Sequence, residues 1–225
     1  MAYMEEQLFS AIGSRLKALE MRTIFDVGAN VGQSTDAFAT HYAGASVWAF
    51  EPIAATYKKL SERFAGNDRI RCINAGLSFE QTAAEFFAEG TSVGNRLAPS
   101  TSTSPARREQ VALEVGDSFM AAHGIDRVNY LKIDTEGHDL SVMRGFARAL
   151  ADHRIDLVQA EVGLHPRNGG HVPIEKVKSF LEAMDYALFT IIDMTVETRG
   201  RPNLRRCDVV FISQSAIEKN TVTPA

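Results

Sequence analysis

The segment IFDVGANVGQS, residues Ile24 to Ser34, contains the first strand and the first candidate binding turn of the chain. An apolar run ends at Asp26, and Gly28 and Gly32 then follow on either side of Asn30. Such a run closed by a glycine-rich turn is typical of a buried parallel strand that leads into a helix. Because ligands of open α/β sheets bind beyond the carboxyl ends of the strands, this turn is a candidate ligand site.

Strands and helices alternate after this turn. The segments SVWAFEP and RIRCINAGL are predicted as the second and third strands, and VNYLKID and IDLVQAEV as later ones. The helical segments between them predict an α/β fold with a doubly wound, mostly parallel sheet. Two further strands close the chain, and we expect them to form an antiparallel pair.

The chain is predicted to form one domain with short additions at both ends. Residues 1–22 are expected to form an N-terminal packing helix, and residues 23–213 the α/β domain. A Ser-, Thr- and Pro-rich stretch at 90–109 is predicted to be a lid-like loop or a plain surface insertion. The polar residues 214–225 are expected to be a flexible tail.

Composition narrows the classes of protein to which the chain could belong. Its 225 residues carry a formal net charge of -4, which gives no electrostatic reason to expect nucleic acid or an anionic membrane as a partner. Two cysteines, Cys72 and Cys207, are too few for a disulfide framework or a zinc site. The absence of a long apolar run and of a basic N-terminus predicts a cytoplasmic protein without a membrane span.

The glycine turn argues against a dinucleotide. The usual fingerprint would place glycines at positions 28, 30 and 33, but the chain has Asn30 and Gln33. Asn30 can adopt the positive φ angle that a glycine would otherwise provide. Glu51, at the exit of the second strand, is well placed to accept hydrogen bonds from ribose hydroxyls. The pattern therefore favours a nucleoside without a pyrophosphate, such as S-adenosylmethionine, bordered by Leu77 at the third strand exit.

The segments FDVGANVGQST, FEP, NAGLS and LKIDTEGHDLSVMRG together resemble the FkbM family of S-adenosylmethionine-dependent methyltransferases. The resemblance extends from about Ile24 to Ile212, and Thr135 departs from it where valine is commoner. It implies the class I methyltransferase fold, a Rossmann-like sheet whose last strand is antiparallel, and methylation of a hydroxyl on a sugar, glycan or related natural product. The glycine turn, the strand exits and the resemblance together predict the cofactor-binding residues. These are Asp26, Gly28, Asn30, Gly32, Gln33, Ser34, Glu51, Pro52, Gly76, Leu77 and Asp134.

A second group of ionisable residues follows the strands VNYLKID and IDLVQAEV. Three roles are open for it: binding the amino group of the cofactor, deprotonating the acceptor hydroxyl, or binding Mg²⁺. Lys132 is expected to point to the opposite side of its strand. The candidate catalytic residues are Asp134, Glu136, His138, Glu161 and His165. The candidate metal ligands are Asp134, Glu161 and His165.

The acceptor is expected to be a small molecule or an oligosaccharide, and the sequence is compatible with a homo-oligomer. Two other functions stay open at this point. One is a nucleotide-dependent oxidoreductase on a Rossmann-like fold, against which the missing glycines count. The other is a non-catalytic cofactor-binding protein, in which the acidic group would be idle.

Overall fold

A computed structural model describes residues 2–87, 96–97, 108–165, 168, 170–196 and 202–221. The strands are β1 (Thr23–Val27), β2 (Ser46–Phe50), β3 (Ile70–Ile73), β4 (Gly76–Ser78), β5 (Thr82–Phe87), β6 (Arg96–Leu97), β7 (Arg108–Val115), β8 (Val128–Ile133), β9 (Ile155–Gly163), β10 (Val172–Pro173), β11 (Tyr186–Val196) and β12 (Leu204–Ser213). The helices are α1 (Ala2–Arg15), α2 (Gln33–His41), α3 (Ala54–Arg63), α4 (Gly116–Ala122), α5 (Asp139–Gly145), α6 (Ala147–Ala151), α7 (Ile174–Glu182) and α8 (Gln214–Asn220).

The main sheet has the strand order β11-β12-β9-β8-β1-β2-β3, and β10 pairs with β9. Strand β1 lies parallel to β2 and β8, whereas β12 lies antiparallel to both β9 and β11. All six residues of β8 are buried, as expected for a strand covered by helices on both faces. The predicted fold class, mostly parallel with an antiparallel last strand, is confirmed.

The direction of strand addition reverses beside β1. Strand β2 lies on one side of β1 and β8 on the other, so the carboxyl ends of these three parallel strands meet at one edge of the sheet. Such a switch point leaves a crevice between the loops that diverge from it. The glycine turn and the acidic segment after β8 both begin at this edge.

A second sheet, in the order β4-β7-β5-β6, lies next to the same edge. Strand β4 starts three residues after β3 ends, and β7 returns beside it in parallel. Phe86 on β5 and Leu113 on β7 pack with Ile53, which precedes α3. This second sheet supplies an apolar wall near the strand exits.

The N-terminal helix is shorter than the predicted packing helix. Helix α1 ends at Arg15, but Leu16 and Met21 beyond it are still buried. Its side chains Leu8 and Ile12 join an apolar cluster that contains Phe38 of α2. The segment therefore contributes to the core on one face of the main sheet.

The expected flexible tail at 214–225 is wrong for residues 214–220, which form α8. The hydroxyl of Ser213 accepts a hydrogen bond from the amide of Ala216 at 3.2 Å and caps the helix. Ala216 is fully buried, and Ile217 packs against the same apolar cluster as α1. The burial of Ala216, the packing of Ile217 and the cap at Ser213 thus stabilise α8, although most of its residues are polar.

Two further expectations concern the chain as a whole. The predicted lid-like loop at 90–109 lies outside the described residues, apart from 96–97 and 108–109. Within the described ranges, no helix is both long and apolar enough to cross a membrane.

Candidate active site

The turn after β1 runs through the left-handed region of backbone conformation. The φ angles are 84° at Gly28, 52° at Asn30 and 87° at Gly32, so Asn30 takes the conformation expected for it. The amides of Gly28 and Ala29 both donate to the carbonyl of Phe50, which docks the turn on the end of β2. A Cβ atom at position 28 would lie 1.9 Å from the backbone oxygen of Asp134. Only glycine therefore lets the exits of β1 and β8 come this close.

Glu51 is the buried carboxylate at the exit of β2. Its two oxygens accept hydrogen bonds from the amides of Asn30, at 3.1 Å, and Ile53, at 2.9 Å. Burial raises the pKa of Glu51 to about 7, against the effect of these two bonds. The carboxylate is thus fixed in orientation, and each oxygen keeps lone-pair capacity for a ligand hydroxyl.

A first pocket opens between the glycine turn, the start of α3 and the second sheet. One side is polar, with Glu51 and Asn30, and the other is apolar. Such a division suits a flat ring system attached to a hydroxylated sugar. Its lining residues are Val27, Gly28, Asn30, Glu51, Pro52, Ile53, Thr56, Gly76, Leu77, Phe86, Leu113, Asp134, Thr135, Glu136 and His138.

A second pocket adjoins the first and is lined mainly by polar side chains from β8, β9 and the β11–β12 hairpin. The two pockets share Gly28, Asn30, Asp134 and Glu136. A ligand in one pocket can therefore reach a ligand in the other across this junction. The lining residues of the second pocket are Gly28, Ala29, Asn30, Gln33, Ser34, Lys132, Asp134, Glu136, Gln159, Glu161, His171, Ile192, Asp193, Arg205, Arg206 and Asp208.

Only some of the residues predicted to bind the cofactor line the first pocket. Gln33 and Ser34 line the second pocket rather than the first, and Asp26 and Gly32 line neither. Asp26 is fully buried beneath the turn, where it accepts hydrogen bonds from the hydroxyls of Thr35 at 2.6 Å and Ser34 at 3.3 Å. Asp26 therefore connects β1 to the first turn of α2 through these two hydrogen bonds. The predicted residues that do line the first pocket are Gly28, Asn30, Glu51, Pro52, Gly76, Leu77 and Asp134.

Lys132 belongs to the site, and the expectation that it points away was wrong. Residues two apart on a strand lie on the same face, so Lys132 and Asp134 are neighbours, and their Nζ and Oδ2 atoms are 3.1 Å apart. Burial lowers the pKa of Lys132, but Asp134, Asp26 and Asp208 outweigh it and raise the pKa on balance. Burial likewise opposes the charge of Asp134, but Lys132 and Arg206 hold its pKa below the ordinary value. Both groups are therefore charged.

The segment after Asp134 turns sharply before α5 begins. Glu136 has a φ angle of 51° and Gly137 of 96°, and this turn puts Glu136 on the wall of both pockets. His138 faces only the first pocket, and its Nε2 atom is 3.1 Å from the hydroxyl of Ser78. Burial lowers the pKa of His138. His138 therefore lies on the side of the site away from the second pocket.

Glu161 is bound by basic groups on both oxygens. One oxygen is 2.5 Å from Nε2 of His171, and the other contacts Arg206. The second nitrogen of His171, Nδ1, is 3.0 Å from the side-chain oxygen of Asn168. His165, which the sequence favoured, lines neither pocket. The imidazole beside Glu161 is therefore that of His171.

The predicted metal ligands do not come together. Within the described part of the chain, the one group of three with ligand atoms inside 4.8 Å is Glu136, Glu161 and His171, not Asp134, Glu161 and His165. Glu161 already contacts His171 directly, and the guanidinium of Arg206 repels a cation at the same place. These residues do not fit Mg²⁺, which needs several oxygen ligands at close to octahedral positions.

Sequence reasoning missed, among other residues of the second pocket, the three basic side chains that contact its acidic residues. Lys132 could have been found from the two-residue repeat of its strand. His171 and Arg206 gave no local signal, because the pairing of β12 with β9 and of β10 with β9 brings them to Glu161. The positive group that contacts Glu161, the guanidinium of Arg206, therefore comes from a distant part of the sequence.

A family model described as the methyltransferase FkbM domain matches residues 26–188, which is most of the chain. The chain belongs to the FkbM family. The predicted family and the predicted enzyme class, a methyltransferase, are thus confirmed at the level of the FkbM domain.

One relative of this FkbM chain is the hexuronic acid methyltransferase AglP of Haloferax volcanii. The two are 27% identical over 156 residues, which cover 68% of the chain and 61% of AglP. The chain therefore spans less than two thirds of the length of this relative.

Solved structures of methyltransferases have a similar fold. Magnesium protoporphyrin IX methyltransferase (ChlM) from Synechocystis PCC 6803, with bound SAM, aligns with a TM-score of 0.53 and 10% identity over 95% of this chain and 79% of that one. TrmK of M. capricolum, in complex with S-adenosylhomocysteine, aligns with a TM-score of 0.51 and 10% identity over 90% and 67%. At these identities the likeness concerns the fold of the FkbM domain alone.

Proposed function

We propose that the chain is an S-adenosylmethionine-dependent O-methyltransferase that acts on a hydroxyl of a sugar, glycan or related natural product. The observation that carries the proposal is the pair of adjoining pockets. One combines a fixed buried carboxylate with an apolar wall, the other is polar, and they share Asp134 and Glu136. A methyl donor and a hydroxyl acceptor need this kind of arrangement, since their reacting atoms must meet in line.

The first pocket fits the donor by the chemistry of its residues. Glu51 offers carboxylate oxygens to the two ribose hydroxyls, and Leu77 and Phe86 offer an apolar surface to the adenine ring. Asp134, charged and at the junction, is suited to bind the ammonium group of the methionine part. Glycine at position 28 lets the exits of β1 and β8 approach each other, which brings Asp134 to this pocket.

S-adenosylmethionine, when bound, would supply a methyl group carried on a positively charged sulfur, and the sulfur would leave as a neutral sulfide on transfer of the methyl group to the acceptor oxygen. An alcohol is a weak nucleophile, so a nearby base must accept its proton. We assign this role to Glu136, because it lines both pockets.

Two observations support a carbohydrate acceptor. The second pocket offers both donors and acceptors, including Gln159, Ser34 and Asp208, which matches a molecule with several hydroxyl groups. AglP, whose name describes a hexuronic acid methyltransferase, is a relative of this chain. The net charge of -4 gives no comparable support for a nucleic acid acceptor.

Calorimetric titration with S-adenosylhomocysteine tests the donor site. We expect binding by the wild type and at least a tenfold loss in Gly28→Val and Glu51→Ala. The surface variant Lys178→Met, which removes only an exposed ion pair on α7, is the matched control and should bind normally. Tight binding by both site variants, or a higher affinity for a nicotinamide dinucleotide, would refute the donor assignment.

Mass spectrometry of acceptor mixtures tests the reaction. Neutral hexoses, hexuronic acids and short oligosaccharides are incubated with S-adenosylmethionine and the protein, and each is examined for one added methyl group. We expect a methyl ether on at least one of these sugars and its loss in Glu136→Gln. Methylation of RNA or of a non-carbohydrate acceptor alone would contradict the proposed substrate class.

A further inference from the structure

Lys132 is 8% exposed and lies among three aspartates, one on β1, one directly after β8 and one on β12. Its Nζ atom is 3.1 Å from Oδ2 of Asp134 and 3.9 Å from Oδ1 of Asp26. The carboxylate of Asp208, on β12, also acts on its charge. The ammonium group is therefore a shared counter-ion for parts of the site that belong to different elements.

Each of the three aspartates has a separate place in the site. Asp134 lines both pockets, and Asp26 holds the beginning of α2 through the hydroxyls of Ser34 and Thr35. Asp208 lines the second pocket and accepts a hydrogen bond from Gln159 at 2.6 Å. Lys132 is thus the one cation, among the described residues, that ion-pairs with both the carboxylate of the junction and the carboxylate beneath the glycine turn.

We propose that Lys132 is a positioning residue, which holds Asp134 in place for the donor by tying it to the base of the glycine turn. The inference rests on the proposed function, because it concerns the donor that Asp134 would bind. The buried carboxylate of Asp26 and the half-exposed carboxylate of Asp134 repel each other, and a cation between them offsets this repulsion. Without Lys132, Asp134 loses both its hydrogen-bonded partner and the largest of the charges that lower its pKa.

The alternative is that Lys132 only stabilises the fold. A double-mutant cycle separates the two, since a residue that acts through Asp134 has no effect on donor binding once the carboxylate of Asp134 is gone. The variants are Lys132→Met, Asp134→Asn and the combination, with Lys132→Arg as the charge-conserving variant. Lys178→Met serves as the control for loss of a lysine from the surface.

The measurement is the Kd of S-adenosylhomocysteine by calorimetry, together with the urea midpoint of each variant. We expect Lys132→Met to weaken binding at least tenfold in the wild-type background and less than twofold in the Asp134→Asn background. Lys132→Arg should recover part of the loss. The combined variant removes the Lys132–Asp134 charge pair as a whole, so it keeps the test valid if Lys132→Met alone unfolds.

The possible outcomes are distinct. Absence of binding by the wild type would overturn the proposed function and this inference together. Binding by the wild type that is unchanged or tightened in Lys132→Met would overturn the inference alone. Equal weakening in the two backgrounds would also overturn it, because Lys132 would then act independently of Asp134.

Discussion

Several carboxyl groups in and around the site are shielded from water, and this burial shifts their pKa values. Glu51, Asp139 and Asp26 are all buried, and burial raises the pKa of each. Asp134 is the exception, since Lys132 and Arg206 keep it ionised. Glu51 and Asp139 consequently titrate near pH 7, whereas Asp134 stays charged.

Affinity for S-adenosylhomocysteine should rise with pH through the titration of Glu51. The pKa of Glu51 is about 7, so below this pH its carboxyl is protonated and accepts weaker hydrogen bonds from ribose hydroxyls. About one tenth of the molecules carry an ionised Glu51 at pH 6 and about nine tenths at pH 8, which predicts up to about a tenfold gain. Calorimetry from pH 5.5 to 8.5 would measure it. In Glu51→Gln the affinity should be low and the gain absent; an undiminished pH response in this variant would contradict the assignment.

Asp139 should make the fold less stable as pH rises. One of its oxygens is buried without a hydrogen-bond partner among the described residues, and burial raises its pKa from 3.8 to about 7. The folded state therefore binds more protons than the unfolded state between these values, and the free energy of unfolding falls as pH increases across that window.

Urea unfolding at pH 5 and pH 8 tests this effect of Asp139. We expect the wild type to lose at least about 1 kcal/mol more than Asp139→Asn over this interval. Asp68→Asn, at an exposed position, is the control and should behave like the wild type. A pH response in Asp139→Asn equal to that of the wild type would show that Asp139 is not responsible.

At the scale of secondary-structure elements, regular apolar patterns were predictable and long-range partners were not. The strands of the parallel sheet were predicted because their apolar runs are continuous, as buried parallel strands require. Helix α8 was missed because QSAIEKN is mostly polar and its apolar contact rests on Ala216 and Ile217. In the site, the glycine turn and Glu51 were found from local sequence, whereas His171 and Arg206 reach Glu161 only through strand pairing.

Removal of α8 should destabilise the whole domain. The helix buries Ala216 completely and packs Ile217 against the cluster that holds α1. A chain that ends at Ser213 should lose about 2 kcal/mol or more of unfolding free energy, the usual cost of removing buried apolar contacts. A chain that ends at Thr221 is the matched control and should match the wild type in urea unfolding. Equal stability of the two truncated chains would mean that α8 adds nothing to the fold.

For the molecule as a whole, the two pockets meet where β1 and β8 leave the sheet, and the charges there are balanced within the protein. Lys132 and Arg206 supply positive groups beside Asp134 and Glu161, and the imidazole of His171 contacts the other oxygen of Glu161. This balance removes the reason for a bound cation that the sequence alone suggested.

Chelation should therefore leave methyl transfer intact. Glu161 is held by His171 and Arg206, and a divalent ion would have to displace both groups. We expect the initial rate with a working acceptor to change less than twofold after dialysis against a strong chelator. Loss of activity that Mg²⁺ alone restores would show that this account of the charges is wrong.

The contact between Gly28 and the backbone of Asp134 limits how the enzyme can diversify. A side chain at position 28 would meet that backbone oxygen at 1.9 Å, so the width of the junction is set by main-chain atoms. New acceptor preferences must then arise at the far wall, where Ile192, Asp193 and Arg205 lie on a hairpin with solvent-exposed positions such as Met194. Laboratory evolution for other sugars should accumulate its substitutions on this hairpin and leave the glycine turn untouched.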